Sequence, residues 1–188
     1  MSENHEQATP ATSPQSAPGG AAAPALTHDE EQQQAVLQAA DDIAFAPAAK
    51  LSDFQLPYGG VFSGRDPTEA DMKADNAVRS WLHGAELPVT IGNAVAEEAD
   101  RAMRATPNMT DGEVTLAMRS CEHDLSRMWG EDVYARRVGL ARQMVRELDQ
   151  RHPGLIEFLE DRPQIANNKY VVMQLCLHAE RYYKRKGR

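Results

Sequence analysis

The sequence predicts an all-α fold, with a disordered N-terminal lead, then about five or six short helices, extended or loosely bundled, and a basic C-terminal helix. Three observations predict it. Apolar residues recur three and four positions apart behind Ser, Thr, Asp or Asn, often with an acid three residues further on, which is how a helix start reads. Gly and Pro fall between these runs, and no stretch alternates apolar and polar with β-branched enrichment.

The lead, residues 1–26, is built from Ala, Pro, Ser, Thr, Gly and Gln, with Leu26 its only large aliphatic residue after Met1. Such a composition buries too little apolar surface to offset the entropy of ordering it, so the lead is expected to be disordered. Residues 27–65 form a second region. Thr27 with Glu30 makes a capping box for a helix whose Val36, Ala40, Ile43 and Ala44 give only a thin apolar stripe. An irregular segment follows, mixing Pro and Gly with Phe54, Leu56, Tyr58, Val61 and Phe62; aromatics at that density are expected to dock on a neighbouring surface.

Residues 66–163 carry regular helices. Asp66 as cap, Pro67 at the first position and Glu69 predict a start, and Ala70, Ala74, Ala77, Val78, Trp81 and Leu82 repeat until Gly84. A second helix is expected from near Pro88, with Ile91, Val95, Ala99, Ala102 and Met103 on its face and Pro107 beyond its end. Thr110 and Glu113 box a third, whose stripe runs through Val114, Ala117, Met118, Cys121, Leu125, Met128 and Trp129 to Gly130. A fourth opens on Glu131 and Asp132, and its Tyr134, Val138, Ala141, Val145 and Leu148 follow coiled-coil spacing. After Pro153 and Gly154 a short "LIEFLED" helix runs to Arg162 and Pro163. In residues 164–188, Asn167 or Asn168 caps the last helix, with Val171 or Val172, Leu175, Ala179 and Tyr182 or Tyr183 on its face.

Catalytic and metal chemistry find little support in this pattern. Cys121, His123 and Asp124 are close in sequence, but neighbours on a helix diverge by about 100° each and cannot converge on one ion. The six histidines sit in separate segments without metal-ligand spacing. "YGGVFSGRD" lacks the Lys-Ser or Lys-Thr ending of a phosphate loop, and Asn108–Thr110 is better read as a helix cap than a glycosylation acceptor. Cys121 and Cys176 are expected to be buried, reduced thiols, and Glu97, Glu98 and Asp100 an exposed acidic face. The reading is non-enzymatic, with no cofactor and no metal. No apolar window of about 18 residues predicts a membrane span, and the N-terminus does not read as a secretion signal.

Charge is the informative feature. The chain carries net charge −8, yet Arg181, Lys184, Arg185, Lys186 and Arg188 crowd its last eight residues without an acid. Without those five, 15 of the 20 Lys and Arg face 28 acids, so residues 1–180 carry −13. Helix-dipole complementarity accounts for one or two such cations. The rest, with Tyr182 and Tyr183 among them, predict a binding surface, and an acidic groove on a protein suits it better than nucleic acid, which the acidic body repels. Removing residues 181–188 is expected to abolish that binding and leave the helices intact.

"DFQLP" at 53–57, "WLHGAELP" at 81–88, "MWGEDVYARRVGLAR" at 128–142 and the Asn-capped basic helix from 166 occur in an order that resembles the scaffolding, or capsid assembly, proteins of tailed double-stranded DNA bacteriophages. The resemblance spans about residues 51–188. It implies a protein that binds the major capsid (coat) protein, directs procapsid assembly in the host bacterial cytoplasm and sits transiently inside the procapsid, with the portal as a further partner. Carried over, the coat contact is Arg181, Tyr182, Tyr183, Lys184, Arg185, Lys186 and Arg188. Homo-oligomerisation falls to the seam of Tyr134, Val138, Ala141, Val145 and Leu148. The alternatives are a small nucleic-acid-binding or packaging protein and a minor structural protein retained in the virion.

Overall fold

The computed structural model describes residues 28–57 and 68–187, without the side chains of 28–31, 33, 34 and 38. The expected disorder of the lead, the Thr27 cap, Asp66, Pro67, Tyr58, Val61, Phe62 and Arg188 lie outside the described residues. Among those described there are eight α-helices and no strand: α1 (His28–Ala44), α2 (Glu69–Gly84), α3 (Val89–Ala105), α4 (Asp111–Trp129), α5 (Glu131–Arg151), α6 (Leu155–Glu160), α7 (Pro163–Ala166) and α8 (Lys169–Arg185). The chain divides into two units, Met1–Ala39 and Ala40–Arg188. The described part of the first is the leading portion of α1; all later elements belong to the second.

Capping chemistry sets the helix starts. At α2 the described cap is Thr68, whose Oγ1 accepts from the Asp71 N–H at 3.3 Å while Asp71 Oδ2 accepts from the Thr68 N–H at 2.8 Å. This reciprocal box places the start two residues beyond the expected first position at Pro67. Thr110 and Glu113 close the expected box on α4. At α8 the cap is Asn168, whose Oδ1 accepts from the N–H groups of Tyr170 and Val171 at 2.9 and 3.1 Å. Asn168 Nδ2 also donates to Glu98 on α3 at 3.1 Å, so one side chain starts a helix and ties it to a neighbour.

Helices α5 and α8 form the most extensive pair, and α3 also packs on α8. Their shared core holds Met144 and Leu148 of α5, Cys176, Ala179, Tyr182 and Tyr183 of α8, and Trp81 and Leu82 of α2. The Trp81 indole N–H donates to the His152 carbonyl at 3.0 Å, and its ring lies 5.1 Å from that of Phe158. The described part of the irregular segment before α2, up to Pro57, docks through Phe54. Phe54 is buried, Arg79 donates to its carbonyl, and the Gln55 N–H donates to Asn93 Oδ1 at 2.8 Å. Gly92 of α3 makes this possible: a Cβ there would stand 2.3 Å from Phe54 Cε1.

Two expectations are corrected, at Asp100 and Cys121. Helix α2 ends at Gly84 as expected, and the left-handed residue of the turn that follows is Glu86, at φ 57°, in a closure where the Leu87 N–H reaches the Leu82 carbonyl and the Glu86 N–H that of His83. Gly84 also admits His152, whose ring would lie 2.8 Å from a Cβ. Asp100, expected on an exposed acidic face, is 4% exposed and paired with Arg104, because the α3 register turns it inward beside Ala99 and Met103. Cys176 is buried as expected while Cys121 is only half-buried; both thiols are free, and burial pushes that of Cys176 up to about 11.

Candidate functional site at the end of α8

The end of α8 is anchored from beneath. Tyr182 and Tyr183 are both buried and meet edge to face with centroids 5.1 Å apart. One turn earlier His178, also buried, lies 2.7 Å through Nε2 from the Ala85 carbonyl. Burial holds its imidazole below the ordinary pKa, against the raising effect of that hydrogen bond. The helix end is therefore packed on the core through one side.

Around it the described cations spread outward, with different degrees of freedom. Arg181 stacks over Phe45 with its guanidinium carbon 3.7 Å from the ring centroid. Arg185 approaches Glu86 at 3.7 Å and donates to the Phe45 carbonyl at 3.4 Å. Lys186 pairs with Glu86 at 3.0 Å and donates to the Tyr182 hydroxyl at 2.7 Å. Those two hydrogen bonds raise its pKa, Tyr182 contributing most. Lys184 is exposed and has no partner among the described residues. Glu180 lies toward α5 and accepts from Arg136 at 2.6 Å and Arg137 at 2.8 Å. Burial raises its pKa, but the two guanidiniums outweigh that and leave it below the usual range.

Of the residues expected to contact a partner, the structure brings Arg181, Lys184, Arg185 and Lys186 to one helix end and places Tyr182 and Tyr183 in the core. Two adjacent residues on a helix point about 100° apart, yet α8 is enclosed widely enough there to take both rings. Cutting the chain at residue 181 therefore removes core as well as charge, contrary to the sequence expectation. The expected self-association seam is likewise occupied within the chain. Ala141 and Leu148 are buried, Val138 and Val145 pack against the same core, and Tyr134 is half-buried.

Sequence reasoning missed Glu86 and Phe45, the groups that clasp the cations. They stand about 100 and 140 residues from α8, and no local spacing signals such a contact. Among the described residues no group of three His, Cys, Asp or Glu converges as a metal site would, and no helix is long and apolar enough to cross a membrane. Comparison with known proteins finds no matching family model, curated protein or solved structure.

Proposed function

We propose that this chain is a non-enzymatic assembly protein of the scaffolding type, which engages an acidic surface of the coat protein through the end of α8. The carrying observation is the gathering of Arg181, Lys184, Arg185 and Lys186, all exposed, on a helix whose underside is buried in the core. Contacts of this kind are weak and screened by salt, as an assembly factor that must later release its partners requires. The burial of Tyr182 and Tyr183 favours a protein partner over nucleic acid, because single-stranded nucleic acid binds by stacking on exposed aromatic faces.

Avidity requires more than one copy. With the α5 seam occupied, self-association falls to the outer side of α4, where Met118 and Met128 are about half exposed, while Leu125 of the same helix is buried within the chain. The decisive test replaces Arg181 and Lys184 by Glu and measures coat-subunit binding at low and physiological salt. At least a tenfold loss is expected, with unchanged far-ultraviolet circular dichroism; unchanged binding rejects the α8 site. Met118→Glu should lower the sedimentation-derived mass and leave the helix content intact, and an unchanged mass rejects α4.

A further inference from the structure

A second feature of the molecule is independent of the α8 surface. Between α2, α3 and the α5–α8 pair lies a cavity of about 290 Å³, walled by Val78, Leu82, Val95, Met103, Met144 and Phe158. Protein interiors close around few voids larger than a water molecule, and an apolar void leaves its lining without dispersion partners on one side. A sealed cavity of about 150 Å³ lined by such residues stays dry and takes up benzene or xenon. This one is open to solvent on one side and has roughly twice that room, enough for a two-ring body.

The polar groups on its wall have one sign in excess. Asp71, Asp75 and Asp100 line it with one guanidinium, that of Arg162, which lies 4.3 Å over the Phe158 ring and donates to the Phe158 carbonyl. Asp71 caps α2 and Asp75 is paired with Arg79 at 2.9 Å. Asp100 differs: its side chain is 5% exposed, Oδ2 is paired with the largely exposed Arg104, and Oδ1 has no donor among the described residues. A buried carboxylate needs donors to both oxygens, and a single ion pair leaves the lone pairs of Oδ1 unmet. With Pro57, Asp100 also lines a shallow depression between Arg101 and Arg104, so it stands where the cavity reaches the surface.

We infer that this cavity is a binding site for a small amphiphilic amine, whose apolar body fills the space between α2 and α3 and whose ammonium donates to Asp100. The acidic lining disfavours a carboxylate of the same shape. Titration of the full chain with 2-(1-naphthyl)ethylamine, read by calorimetry and by quenching of Trp81 at the cavity wall, tests this against 3-(1-naphthyl)propionate. Saturable binding is expected, at least tenfold tighter for the amine than for the acid. Asp100→Asn should erase that preference while the naphthyl body still binds, and Ala99→Leu or Ala96→Leu, each directed into the cavity, should abolish uptake without loss of helix content. No saturable uptake by the wild-type chain, equal affinity for amine and acid, or full binding by a folded cavity-filled variant overturns the inference.

Discussion

Glu86 shows how a single residue joins local strain to a long-range contact. Its left-handed backbone costs an ordinary L-residue about 1–2 kcal/mol. The conformation turns the chain from α2 into α3 and leaves the side chain against Lys186 and Arg185. Gly92 is the opposite case, a residue defined by what it lacks. Gly92→Ala drives a methyl into the buried Phe54 ring and is expected to destabilise by about 1–3 kcal/mol in urea melts. Gly139→Ala, with nothing within 4 Å of its Cβ on α5, is expected to stabilise by about 0.5–1 kcal/mol. His178 sets a pH dependence. Its folded-state pKa lies below the 6.5 of the free group, so the unfolded chain takes up the proton first and stability is lost as pH falls through and below 6.5. The groups that face it electrostatically are Glu86, Arg185 and Arg181. Thermal melts from pH 7.5 to 5.5 should show the fall, and His178→Gln should flatten it.

Among the elements, α5 and α8 carry the most consequence. The four-three seam of α5 is a genuine helix-pairing surface, and its partner is α8 of the same chain. Leu148→Asp places an unpaired charge in that interface and is expected to unfold the second unit, seen as lost helical circular dichroism rather than as a smaller oligomer. Periodicity and caps made α3, α4, α5 and α8 legible nearly to their ends, because those signals act within one turn. The start of α2 was displaced because Asp66–Glu69 and Thr68–Asp71 both satisfy a box pattern, and sequence alone does not rank them. The single-turn α7 rests on Pro163 and the burial of Ile165 and carries no periodicity to read.

In the second unit, a large buried cluster joins α2, α5, α6, α8 and the docked Phe54, and a smaller one of Val95, Ile165 and Val171 is linked to it through Phe158, Leu159 and Leu175, so this unit should unfold as one cooperative transition. Trp fluorescence and far-ultraviolet circular dichroism should give coincident midpoints in denaturant; separated midpoints would mean the core is divided. The sequence by itself determined the all-α class, the order and most limits of the helices, and the gathering of cations at the C-terminus, since all of these arise from contacts within a turn or from composition. Only the tertiary structure decided that Tyr182 and Tyr183 belong to the core, that the α5 seam is occupied within the chain, that Asp100 is buried at a cavity, and that Glu86 holds Lys186. Each joins residues distant in sequence or faces of neighbouring helices, and a helix period states which side is apolar without stating what covers it.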